Sequence, residues 1–329
     1  MVQSRFNLSR RLRQAYDKFR WGLRVAGPSA ALPGAIRYGM LRLRRPATGE
    51  VRLRSGPVLE FDYPSQFPPT LMMFGDFIDP EFAFLQQVAK PGWQVIDVGA
   101  AIGQFSMFAA RCLPDAVIHA FEPEASNLGT LKRNIARNGA QGRVIVHQSA
   151  LSDRQGTARF ETSASTWNSH LVDASTDGPG YETVPVETLS AVLPQLGLDH
   201  VDILKINVAG LEASVLAGAM PCLAEGKVDV LILLLGLPSL PVYGDIARLG
   251  YRFFYYHPRE HALYEVTSFD HDAVLGHRPW PARHIIGIRD QVLPELLDGK
   301  VTIRPIAYRD KISATPSHLS GTQLSGHES

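Results

Sequence analysis

Two carboxylates and two glycines stand in a spacing that suits a nucleoside ligand. In QVIDVGAAIG, residues 94–103, Asp97 closes an apolar stretch, and Gly99 and Gly103 follow four residues apart. Val95, Ile96 and Val98 predict a strand buried on both faces. Gln104 to Ala110 predicts a helix. A strand, a glycine turn and a helix N-terminus offer backbone N–H groups to a ligand. The first glycine permits the turn, and the second allows close approach or packing. A second acid, Glu122, ends the next apolar run, AVIHAFEP.

An acid before the first glycine departs from the dinucleotide fingerprint, whose acid comes about 20 residues later. Here both positions are acidic. Such a pair suits a ligand with an amino-acid-like cation at one end and a ribose in the middle. Asp97 would face the cation, and Glu122 would accept from both ribose hydroxyls. S-adenosylmethionine matches that description better than a pyrophosphate, which needs no carboxylate beside it. A buried strand and turn without ligand, or another nucleotide fold, would also carry these residues.

The elements that must position this turn extend through most of the 329 residues. That length supports one α/β domain with extensions. A net charge of +1 gives no overall case for nucleic acid. The basic residues are uneven, however: before residue 46, eleven Lys and Arg face only Asp17. Residues 1–60 are therefore read as a basic extension that contacts anionic lipid or an acidic partner, with a solvated helix as the plain alternative. Residues 61–292 form the main domain, and 293–329 are read as a partly disordered tail. Cys112 and Cys222, the only cysteines, predict reduced thiols and a cytoplasmic protein, peripheral to a membrane at most. No apolar stretch follows the basic N-terminus as a signal peptide requires, and the run Val230 to Leu235 is too short to span a bilayer.

In chain order, Phe6 to Leu23 predicts a helix, and VRLR and VLEFDY a hairpin around Ser55-Gly56. Asp79-Pro80 opens a helix, with the aspartate as N-cap and proline in the first turn. A helix from Glu124 to Asn138 stops at Gly139. RVIVHQSAL predicts the third strand, TARFE and Tyr181 to Val186 a hairpin insertion, and VDILKINV the fourth strand. A helix from Leu211 to Ala219 follows, then VDVLILLLG, YRFFYY and HIIGIR as strands five to seven. Repeated βα units imply right-handed crossovers and a mostly parallel seven-stranded sheet with helices on both faces.

Four blocks, IDVGAAIG, HAFEPEASNLGTLKRNIARNG, VHQSALSDRQGTARF and LKINVAGLEASVLAGA, occur in order between Phe82 and Leu235. In these the chain resembles the FkbM family of S-adenosylmethionine-dependent methyltransferases. The resemblance implies a Rossmann-like class I methyltransferase fold and methylation of hydroxyls on sugars, glycolipids or secondary metabolites. It implies that Asp97, Gly99, Ala100, Ala101, Gly103, Glu122 and Pro123 hold the cofactor, with Ser149, Ala150 and Leu151 along the adenine. Three departures stand out. Ala101 replaces the asparagine of the family's DVGAN. Asn207 and Ala209 replace the acids of KIDVEG, leaving Glu212. The fifth strand ends in Leu235-Gly236, where an acid often stands.

A hydroxyl acceptor needs its proton removed, and a placed base adds ~10²–10⁴-fold. Asn207, at the carboxyl end of the fourth strand, can orient a hydroxyl but cannot deprotonate it. The candidate bases are His170, in the polar run STWNSH expected over the mouth, with Glu212 and His147 behind it. Glu212 is alternatively a first-turn acid favouring the helix dipole. Lys205 either pairs with an acid or reaches the site edge. HPREH, residues 257–261, fits a zinc-protease spacing that requires a helix, which Pro258 opposes; no metal is expected there or around FDHDAVLGH. Two rivals to a methyltransferase are a non-catalytic relative that binds cofactor or a partner, and an NAD-type oxidoreductase, disfavoured by Asp97 and the lack of GxGxxG.

Overall fold

The computed structural model describes residues 16, 19–24, 26–161, 170–172, 181–270, 274 and 282–306. Helix α1 (Pro28–Arg44) leads into the hairpin β1 (Thr48–Arg52) and β2 (Val58–Asp62). Two helices follow, α2 (Pro69–Phe74) and α3 (Pro80–Val88). The alternating part then runs β3 (Gln94–Val98), α4 (Gln104–Cys112), β4 (Val117–Phe121), α5 (Ala125–Arg137) and β5 (Val144–His147). An insertion holds β6 (Ala150–Leu151), β7 (Gly156–Glu161), β8 (His170–Val172) and β9 (Tyr181–Glu187). It is followed by α6 (Leu189–Gln195), β10 (Val201–Ile206), α7 (Glu212–Ala224) and β11 (Val228–Leu234). The chain closes with α8 (Leu240–Arg248), β12 (Tyr251–His257), β13 (Ala262–Val266), β14 (His284–Arg289), α9 (Leu293–Leu297) and β15 (Thr302–Pro305).

The main sheet has nine strands in the order β15-β13-β12-β14-β11-β10-β3-β4-β5. The seven expected strands are all in it, and β11-β10-β3-β4-β5 are parallel neighbours. β14 runs antiparallel to both β11 and β12. Strands β13 and β15 extend the sheet beyond the seven, β13 as the hairpin partner of β12. Alternate residues of β3 face opposite cores, as a doubly covered strand must. Val95 lies in the same core cluster as Phe105 and Phe108 of α4, while Ile96 and Val98 lie in the cluster that holds Val215 and Leu216 of α7.

Three boundaries differ from the sequence reading. RVIVHQSAL is not one strand: β5 stays in the main sheet, and β6 pairs with β9 in the four-stranded insertion sheet. Helix α7 continues past Pro221 to Ala224, because Cys222 and Leu223 remain buried against the sheet. The hairpin expected near Ser55-Gly56 forms, but its Val51, Leu59 and Phe61 are buried in the same core as α4. The basic segment is thus continuous with the main domain from the hairpin onward. The Phe6 to Leu23 helix falls largely outside the described residues. Among the described residues, no helix is long and apolar enough to cross a membrane.

Candidate active site

The carboxyl ends of β3, β4, β10 and β11 form one edge, and the glycine turn lies on it. Gly99 and Gly103 have φ of 74° and 93°, a left-handed region open to glycine. A Cβ on Gly99 would stand 2.2 Å from the Asn207 carbonyl oxygen, and one on Gly103 2.7 Å from Leu131. Both glycines therefore serve conformation and close packing together. The N–H groups of Gly99, Ala100 and Gly103 are already engaged. Gly99 and Ala100 donate to the Phe121 carbonyl at 3.0 and 3.1 Å, and Gly103 to Ala100. At these positions the expectation of bare N–H groups is corrected: this part of the turn closes on its neighbouring strand.

Ala101 donates to Glu122 Oε2 at 2.8 Å, so Glu122 is folded directly over the turn. Its Oε1 accepts from the Glu124 N–H at 3.0 Å and from Asn127 Nδ2 at 3.2 Å. Burial pushes this carboxyl up to about 7, although the three donors oppose the shift. Ala101 itself has φ of 48°, a conformation in which asparagine is enriched and alanine is strained. Ala101→Asn is expected to raise stability by roughly 0.5–1 kcal/mol. Urea unfolding midpoints of the two proteins check this.

Asp97 does not face the mouth. It is fully buried, with Oδ1 accepting from Lys205 Nζ at 2.8 Å and Oδ2 from Ser106 Oγ at 2.7 Å. Lys205 also donates to the Gly99 carbonyl at 3.0 Å. Lys205 is therefore the lysine that pairs with an acid, and the pair locks β10 to the glycine turn. Glu212 is likewise spoken for. Its carboxylate is buried and accepts from the N–H groups of Val208 and Gly210 at 3.0–3.2 Å, holding the turn that enters α7. That corrects its candidacy as a base. Ala209 is exposed in the left-handed region on the same turn.

Pro123 is buried beside Glu122, and Ser149, Ala150 and Leu151 are buried along the start of the insertion sheet. His147 Nε2 lies 3.0 Å from His119 Nδ1, and its ring stacks on Phe121, which places it at the flank of the sheet. His170 belongs to strand β8 opposite Glu161, not to a loop over the mouth; its side chain and residues 162–169 lie outside the described residues. HPREH forms the β12–β13 hairpin, not a helix. Most of FDHDAVLGH lies outside the described residues.

Asn207 does line the cleft beside the glycine turn, in the company of groups the sequence reading missed: Asp79, Glu81, Arg283 and His284. His284 Nδ1 lies 2.5 Å from Glu81 Oε1, both side chains about 95% buried, and the approach is off the line of a hydrogen bond. His284 Nε2 faces the amide of Asn207 at 3.4 Å. Asp79 makes no side-chain cap; its carboxylate lies 3.6 Å from Arg283 and 3.5 Å from Gln104 Nε2. Asp79, Glu81 and His284 bring three potential ligand atoms within 4.8 Å of one another, a donor set able to hold either a shared proton or a divalent cation. One signal could have placed His284. A last strand antiparallel to its neighbours starts at the edge where the parallel strands end, and His284 pairs with Leu234 there.

This strand order and this turn define a Rossmann-like, class I methyltransferase fold. The model of the methyltransferase FkbM domain matches residues 97–238 of this chain. The chain is 32% identical to methyltransferase sdnD of Sordaria araneosa, over 38% of this chain and 59% of that one. It is 32% identical to the 31-O-demethyl-FK506 methyltransferase FkbM of Streptomyces tacrolimicus, over 39% and 60%. It thus spans about three-fifths of the length of these curated relatives. A crystal structure of methyltransferase FkbM from Methylobacillus flagellatus KT aligns at 14% identity over 68% of this chain and 56% of that one, with a TM-score of 0.40.

Proposed function

We propose that this protein is an S-adenosylmethionine-dependent methyltransferase acting on a hydroxyl of a sugar-containing or secondary-metabolite acceptor. The observation that carries the reading is Glu122, a buried carboxylate held over the glycine turn at the end of β4. It fits a ribose, whose two hydroxyls would donate to it. Asp97 fits less well, since it is fully buried and its charge is already neutralised by the Lys205 ammonium; Asp79, which lines the cleft, is the better acid for the cationic end. The S. tacrolimicus relative is named for methylation at an oxygen, which supports a hydroxyl acceptor.

When bound, the cofactor supplies an electrophilic methyl group on a sulfonium, and the protein supplies placement and a proton acceptor. His284 takes the role vacated by the acids that Asn207 and Ala209 replace. A proton on Nδ1, beside the Glu81 carboxylate, would leave the Nε2 lone pair on the side of the cleft where the Asn207 amide lies. Asn207, 3.4 Å away, orients the acceptor hydroxyl beside it. The test is transfer of a labelled methyl group from S-adenosylmethionine to lipid and polyhydroxylated extracts. His284→Gln is expected to slow transfer by ~10²–10⁴-fold with cofactor affinity kept. Cofactor binding without transfer to any acceptor class would instead favour a non-catalytic relative. Undiminished transfer by His284→Gln would remove the imidazole from the proton-accepting role.

A further inference from the structure

Helix α1 has two apolar faces, and the described residues cover only one. On the inner side Ala31 is buried, Gly34 lies so close to α2 that a Cβ would meet the Met73 carbonyl oxygen at 2.6 Å, and Tyr38 stacks on Phe67. Leu41 packs against the main core. The outer side presents Leu32, Ile36, Met40 and Leu43, at 66%, 56%, 43% and 85% exposure. Their spacing, i, i+4, i+8 and i+11, makes one continuous stripe. Single exposed apolar residues need no explanation, but four in a row on one helix mark an interaction surface.

The charge beside the stripe selects the partner. Residues 28–49 contain Arg37, Arg42, Arg44 and Arg45 and no Asp or Glu. At 3.6 residues per turn, Arg37 and Arg44 fall along one border of the stripe and Arg42 beyond the other. A second copy of this helix would bring these cations together. An anionic bilayer surface accepts both features: the leucines enter the acyl boundary while the arginines meet lipid headgroups. The geometry points to α1 as an in-plane membrane helix that holds this protein on anionic lipid. The consequence reaches the site. α1 packs on α2, whose Leu71 lines the cleft, so the membrane-facing helix is one helix removed from the glycine turn.

The test is co-sedimentation of the full chain with vesicles of phosphatidylcholine, alone or mixed with phosphatidylglycerol. Binding is expected to the mixed vesicles and to weaken as salt is raised. Ile36→Asn with Leu43→Asn should weaken it about tenfold or more while leaving the circular dichroism spectrum unchanged, because both side chains point away from the core. A Met40→Trp reporter should shift its emission to shorter wavelength on the mixed vesicles. Absence of binding by the wild type, or equal binding by the double variant, would overturn the assignment. So would a wild-type dimer in sedimentation velocity that the double variant abolishes, since a second copy would then cover the stripe.

Discussion

Lys205→Met is expected to cost roughly 3–5 kcal/mol of folding stability, because it strands the Asp97 carboxylate with no counter-charge in a fully buried place. Asp97 keeps only the Ser106 hydroxyl in that variant, and the Gly99 carbonyl loses its donor as well. The intact pair need not itself be stabilising, since burying two charges costs about what their attraction returns. The asymmetry gives the check. In urea unfolding, Lys205→Met should lose several kcal/mol, and adding Asp97→Asn should recover a substantial part of it. A single variant within 1 kcal/mol of wild type (roughly the size of an exposed pair) would mean that the pair does not lock the turn.

The second large effect is a pH-dependent affinity for S-adenosylmethionine. In the free protein burial lifts Glu122 from 4.5 to about 7. Ribose hydroxyls donating to this group favour its ionised form, so binding below about pH 7 must expel a proton. Affinity should therefore rise by up to about tenfold per pH unit below that point and level off above it. The stability of the free protein moves the other way. A raised folded value contributes stability that is fully present below about 4.5 and lost as pH rises through about 7, roughly 3 kcal/mol in all. Glu122→Gln should flatten both profiles. Calorimetry in buffers of different ionisation heat would detect the released proton directly, and an affinity independent of pH from 5.5 to 8 (about the range that brackets the shifted group) would exclude this role.

The local part of this site was legible in the sequence, and the long-range part was not. QVIDVGAAIG announced a doubly buried strand and a glycine turn because β-branched runs and left-handed glycines are read from neighbours. Glu122 followed from its place at the next strand's end. The partner of Asp97, by contrast, is 108 positions away, and only the pairing of β10 with β3 puts Lys205 opposite it. Asp79 was read as a helix cap, a reasonable use of aspartate before proline, but its carboxylate turns to Gln104 and Arg283 instead. His284 stood only as the first residue of the expected seventh strand. Its meaning depends on that strand running antiparallel, which local pattern does not state. The loss of acids at 207 and 209 was visible, and the groups beside Asn207 that could stand in for them were not.

Titration of S-adenosylmethionine into the full chain and into Glu122→Ala, with folding of both checked by circular dichroism, decides most directly whether the glycine turn and Glu122 hold this cofactor. Saturable binding of one molecule per chain is expected for the wild type. Loss of two charge-assisted hydrogen bonds, each worth ~1.5–3 kcal/mol, should weaken the variant on the order of a hundredfold or more. No saturable binding by the wild type, or equal binding by a folded Glu122→Ala, would contradict it.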